Sequence, residues 1–246
     1  MTTAPWAMDG QHGSWMNLKP EESWGRAMAL NREIFSSHSI EAIVSDHWII
    51  DYAAFLAAAE KTNADSVAEH LAEHLPSAWL DVYRDLTPHP INVQRVIESG
   101  FTYVYDWYSQ FEVTGKIPFS KDVEDRMVGA LGFSRKGTER RNVARQRGWV
   151  GPTEKHWGKE NDKGHFVAHT LGGGLEINVF VQRRDLNRGW STEGKLYRSM
   201  EKFCWENPGT FFFHRPFYSD CTSRPSALEF GVLKPSGELW IERFKN

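Results

Sequence analysis

A chain of 246 residues, 40% hydrophobic and with a formal charge of -3, can bury one large core or two modest ones without covalent staples. Two cysteines, Cys204 and Cys221, exclude a disulfide framework and are read as free thiols, with one late disulfide left open. Charge is divided along the chain: residues 1–130 hold 9 Lys and Arg against 19 Asp and Glu, a balance of -10, and residues 131–246 hold 20 against 13, a balance of +7. A basic half joined to an acidic half suggests a polyanion-binding unit attached to one that does not bind polyanions, with uneven surface charge of no consequence as the plainer reading.

The opening residues lack the basic stretch, apolar run and small-residue cleavage site of a secretory signal, since Asp9, Gln11 and His12 interrupt them; classical export is not expected. From Glu21 to Ala130 apolar residues recur at three- and four-residue intervals, which predicts a helical region. Helices are expected over 21–35, over 39–61, from Asp65 to Leu75 or on past Pro76 to Leu86, over 91–111, and over 121–131, with Ser39, Asp65 and Ser120 as N-caps. The most apolar segment, His47 to Ala59, carries Asp51 and falls short of the roughly 20 residues that cross a bilayer, so no membrane span or membrane partner is expected.

Between Phe133 and Asn161 the chain becomes rich in Arg, Lys and Gly, and a boundary is placed there: an acidic, mainly helical domain over 1–130 and a basic α+β domain over 131–246. The second part is expected to carry an antiparallel sheet, because short β-branched and aromatic runs at 165–169, 177–182, 210–218, 227–233 and 238–244 are separated by Gly and Pro. The last two flank Pro235-Ser236-Gly237, a hairpin signal. Within 193–205, Leu196, Met200 and Phe203 share a helical face, so a strand pair leads into a helix.

Residues 161–203 carry the chemistry. Asp162-Lys163-Gly164-His165 is followed by Ile177-Asn178, by Gln182, by Leu186-Asn187, and then by Tyr197-Arg198-Ser199-Met200-Glu201. In this order the stretch resembles the DNA/RNA non-specific endonucleases of the ββα-metal, or His-Me finger, superfamily, and looks closest to the nuclease domains at the ends of bacterial polymorphic toxins. The resemblance covers about 80 residues at the C-terminal end. It implies His165 as general base, Asn187 as ligand of one Mg2+ (or Mn2+), Glu201 near the metal waters, and 5′-phosphate and 3′-hydroxyl products. Asn178 receives a supporting role, aligning the His165 ring or holding the finger's backbone in shape. Lys163 stands where the family has Arg, keeping the charge and losing the bidentate fork. The segment 188–196 reads as an inserted loop between Asn187 and Glu201.

The chemistry stands beside the resemblance. Phosphodiester hydrolysis needs a water deprotonated near neutral pH, and an ordinary histidine, with a pKa of about 6.5, suits that task. Charge accumulates on phosphorus and on the leaving 3′ oxygen, where a hard divalent cation is effective, and magnesium keeps several waters while taking only one or two protein oxygens. Lys163, Arg183, Arg184, Arg188 and Arg198 around the finger, and Arg140, Arg141, Arg145 and Arg147 before it, supply cations for sequence-independent phosphate binding, although a solvated surface charge is as good a reading for each.

Plainer alternatives accompany each residue: a satisfied core histidine for His165, a turn residue for Asn187, an exposed helix residue for Glu201. His165 and His169 have zinc-helix spacing, but on a strand residues four apart would sit about 13 Å apart. His70-Leu71-Ala72-Glu73-His74 fits an inverted zinc-protease pattern, with Pro76 close behind and no third ligand motif. The expected function is therefore a metal-dependent endonuclease acting on DNA, RNA or both. The resemblance further implies an antibacterial toxin or effector, held in the producer's cytoplasm, delivered by a dedicated secretion system, and partnered by an immunity protein or adaptor. A nucleic-acid-binding module without catalysis and a zinc hydrolase built on His70 and His74 are the alternatives.

Overall fold

The computed structural model describes residues 49–62, 66–87, 91–108, 124–138, 155 and 157–246. The helix expected over 21–35, most of the first half of that expected over 39–61, and the N-caps Ser39, Asp65 and Ser120 lie outside the described residues. Helix α1 (Tyr52–Lys61) starts where the Asp51 carboxylate accepts from the Ala54 N–H at 3.0 Å, and α2 (Val67–Leu86) starts at Ser66, whose hydroxyl accepts from Glu69 N–H at 3.3 Å. Helix α2 runs through Pro76, and its buried stripe of Leu71, Leu75, Trp79, Tyr83 and Leu86 follows the helical repeat.

The helix expected over 91–111 is instead a hairpin of β1 (Val93–Glu98) and β2 (Phe101–Asp106). Its turn is Ser99-Gly100, both with positive φ (53° and 74°), the two-residue geometry that matches strand twist. The β-branched and aromatic side chains of this stretch, buried on both faces of β2, override an apolar spacing that also fits a helix. The helix expected over 121–131 is likewise replaced, by β3 (Arg126–Phe133). The division expected at residue 130 falls inside this strand.

Beyond it come β4 (Asn161–His165), a 3-10 turn (His169–Leu171), β5 (Val179–Arg183), α3 (Arg184–Arg188), α4 (Thr192–Glu206), β6 (Phe211–Phe217), β7 (Ala227–Leu233) and β8 (Leu239–Lys245). Strands β6, β7 and β8, helix α4 and the closing hairpin fall where the sequence places them. All six strands β1-β2-β3-β6-β7-β8 are joined in that order into one antiparallel sheet, while β4 and β5 form a separate hairpin. The fold is α+β.

Both faces of the sheet are covered. On one, α1 and α2 bury Tyr52, Leu71, Leu75 and Trp79 against Val104, Val128, Phe211 and Phe213. A methyl at Gly129 would stand 2.3 Å from Trp79 Cε3, so only glycine lets that indole reach the strand. On the other face, Tyr103, Met127, Phe212, Leu228 and Phe230 meet Phe166, Leu171, Phe180, Leu186, Tyr197 and Met200 from the hairpin, the 3-10 turn, α3 and α4. The segment carrying the β4–β5 hairpin leaves the sheet after Phe133 and returns at Phe211, its register partner. Ser134 N–H donates to the Thr210 carbonyl at 2.8 Å, and Thr210 N–H donates to the Ser134 hydroxyl at 3.1 Å, closing the neck.

Candidate active site

The antiparallel register sets His165 opposite Val179 at one end of the hairpin and Asn161 opposite Arg183 at the other, where α3 begins. Gly164 lies across from Phe180 and packs on Gln182: an added Cβ would be 2.3 Å from Gln182 Oε1. His165 ends β4 and is 9% exposed. The chain then bends through 166–168, so His169 does not continue the strand. Its ring lies 6.5 Å from that of His165, with 25° between planes. The separation of about 13 Å expected from strand geometry is therefore corrected; the strand stops four residues early.

Asn178 is fully buried and spends its amide on main chain. Its Oδ1 accepts from Val167 N–H at 2.7 Å, and its Nδ2 donates to the carbonyls of Val167 at 2.7 Å and Gly174 at 2.9 Å. These bonds tie the backbone at Val167, two residues after His165, to that of Gly174.

Asp162 joins the hairpin to α3. Its carboxylate accepts from Arg184 Nε at 3.0 Å, Arg188 Nε at 2.6 Å and Nη2 at 3.0 Å, and Asn187 Nδ2 at 3.5 Å. Burial alone would raise this carboxyl, but the hydrogen bonds from Arg188 and Arg184 and their charges outweigh it and hold it below the usual aspartate range. Of these contacts the one from Asn187 is the longest, and it turns the amide nitrogen toward Asp162.

Helix α4 packs on both α3 and the 3-10 turn. The segment 188–196 is not an inserted loop: Gly189, at φ 70°, caps α3, and Ser191 caps α4 two residues later. The Arg198 side chain lies against Gly189, 3.1 Å from where a Cβ would stand, and donates to Glu201 at 2.6 Å. The Glu201 side chain is 12% exposed. Burial first, and then the Glu201 carboxylate one turn away, push the Cys204 thiol up to about 12; the same two causes raise the Tyr197 phenol. Thus α4, the helix that carries Glu201, touches both the helix bearing Asn187 and the turn bearing His169.

The cationic residues are less available than their sequence positions suggest. Arg183 bonds Asp185 at 2.6 Å and Glu193 at 2.5 Å, Arg184 and Arg188 share Asp162, and Arg198 holds Glu201. Lys163 sits in β4 opposite Val181 and is half-buried. Arg140, Arg141, Arg145 and Arg147 lie outside the described residues.

Among the described residues no three His, Cys, Asp or Glu side chains group into a metal cage. In the reading from sequence, Asn187 is the residue that would hold a divalent ion, and one amide oxygen suits an ion that keeps most of its waters. On α2 the His70 and His74 rings meet at 4.4 Å, with His74 3.9 Å from Glu73, on the helix's exposed side. A cleft of about 710 Å3 between sheet and hairpin, lined by Tyr105, Trp107, Met127, Trp157 and Val181, includes none of His165, Asn187 and Glu201.

No protein-family model matches the chain, and no curated protein does. Among solved structures, magnesium-bound NucA from Streptococcus agalactiae shares 18% identity at a TM-score of 0.37, over 63% of this chain and 84% of that one. The Sda1 nuclease with bound zinc shares 16% at 0.30, over 64% and 74%. Similarity at this level leaves function to be read from the site.

Two features of this region do not stand out in the sequence. Asp162 was seen only as a motif letter; the signal for its role was Arg184 and Arg188, four apart on one helix face. Trp190 was assigned to an insertion, yet it is 63% exposed at the α3–α4 corner.

Proposed function

We propose that the chain is a divalent-metal-dependent endonuclease that hydrolyses phosphodiester bonds in DNA, RNA or both. The observation that carries the reading is a β-hairpin closed by His165 and followed without a break by the helix bearing Asn187, the two clamped through Asp162. Glu201 on the flanking helix completes the set proposed from sequence.

In this reading His165 takes a proton from the attacking water. Asn178 holds the 166–167 backbone and so sets the direction of the His165 ring. Asn187 would hold the cation through Oδ1, and Glu201 would orient water around it. When bound, the ion's contribution is to offset the charge that grows on phosphorus and the leaving oxygen. Lys163, Arg188 and Arg198 would meet flanking phosphates. An antibacterial effector role, with an immunity protein guarding the producer, is part of the same proposal; its support is the resemblance of residues 161–203.

The test is cleavage of plasmid DNA and of RNA in magnesium, repeated with EDTA. Wild type is expected to cut only with metal. His165→Ala is expected to lose cleavage by at least about 100-fold, the usual contribution of a general base, while still binding nucleic acid. Full activity in the variant would remove His165 from the mechanism.

A further inference from the structure

The corner between α3 and α4 presents a large aromatic ring to solvent three residues after the proposed cation ligand. Trp190 is 63% exposed, although its backbone is fixed: its N–H donates to the Asp185 carbonyl at 2.8 Å, directly after the Gly189 cap. The Arg188 guanidinium lies over the indole, 4.9 Å from its centroid. Arg188 is itself held edge-on by Asp162 through two hydrogen bonds, and Asp162 also receives the Asn187 amide. The ring is thereby connected to Asn187 by three consecutive contacts, with a cation over it and most of the residue in solvent.

We propose that Trp190 is a stacking platform for an unpaired nucleobase next to the scissile phosphate, which makes single-stranded nucleic acid the preferred substrate class. The inference rests on the nuclease reading and adds the strandedness of its substrate. A rigid indole backed by a guanidinium stacks any base irrespective of its hydrogen-bonding edge, so the preference is for an exposed base and not for a sequence. In a duplex the bases already stack on one another, and the platform gains nothing until a base is released.

The experiment is fluorescence anisotropy of the full chain in EDTA, so that binding is read without cleavage. The probes are a labelled single-stranded DNA oligonucleotide, the same sequence as a duplex, and a strand with abasic sites. Trp190→Ala is expected to weaken single-strand binding about 5- to 150-fold, the range for loss of one base–aromatic stack. Duplex and abasic-strand affinities are expected to stay at the wild-type value, and Trp190→Phe to keep most of the single-strand affinity. Unchanged single-strand binding in Trp190→Ala, or equal losses on all three probes, overturns the platform and leaves the nuclease reading standing. Failure of the wild type to bind any probe overturns the platform, and cleavage of plasmid DNA or RNA in magnesium decides the nuclease reading separately.

Discussion

Asp162 is where local chemistry and site geometry meet. One carboxylate gathers two arginines and the Asn187 amide, so its charge fixes the angle between the hairpin and α3. Asp162→Ala leaves two guanidinium groups without their acceptor and is expected to cost about 1–3 kcal/mol, after allowance for solvent screening, in urea unfolding at pH 7. Because the folded-state carboxyl is held below its ordinary value, its contribution is present above the unfolded pKa and is lost as pH falls through the folded one. The difference between wild type and variant should therefore narrow below about pH 4. A gap that stays constant with pH would show that the carboxylate's charge is not what holds the joint.

At the scale of elements, the close approach of α3 and α4 depends on Gly194. A Cβ there would stand 2.3 Å from the Asp185 carbonyl and 3.0 Å from Gly189 Cα. Helix propensity alone favours Gly194→Ala by about 1 kcal/mol, whereas overpacking costs about 1–3 kcal/mol. We expect the melting temperature to fall by several degrees, with nuclease activity falling too as Glu201 is pushed away from α3. A higher melting temperature would mean that the corner has room to spare. The same contrast explains what the sequence could disclose. Strands β6, β7 and β8 and helix α4 were legible because their periodicity and their burial agree. In contrast, 91–111 and 121–131 read as helices, since Phe101 with Val104 and Tyr105, and Met127 with Ala130 and Leu131, meet a three-and-four spacing, and strands buried on both faces show no alternation to set against it. The winning signal was Ser99-Gly100, a turn too short to stand out within a helical frame. At the site, residue types and their order were legible, whereas the arginines' partners and the His165–His169 approach depend on where the chain bends.

For the whole molecule, two buried groups on opposite faces of the sheet set opposing pH responses. Burial pushes the His214 imidazole down to about 3, where it lies against Phe230 and accepts or donates at Tyr197 Oη over 3.2 Å. Burial pushes Asp106 up to about 6, despite hydrogen bonds from Asn92 N–H and Tyr83 Oη that act the other way. As pH falls below about 6.5 the unfolded chain takes up a proton that folded His214 refuses, which destabilises. As pH rises from about 4 to 6 the unfolded chain gives up a proton that folded Asp106 retains, which also destabilises. In wild type the two slopes nearly cancel, so the urea midpoint should stay level from about pH 4.5 to 6.5; in His214→Phe it should fall as pH rises. Parallel curves for the two proteins would refute this balance. The neck at Ser134 and Thr210 has a further consequence for how such a molecule can change. Two chain ends held side by side on adjacent strands define a cassette: β3 and β6 would remain neighbours in an otherwise continuous meander if the intervening segment were exchanged. The excursion between those two residues can thus be lengthened or shortened in its loops with the strand register kept, whereas exchanging its hairpin and helices would uncover Met127, Phe212, Leu228 and Phe230 and require the strands beneath to change with it.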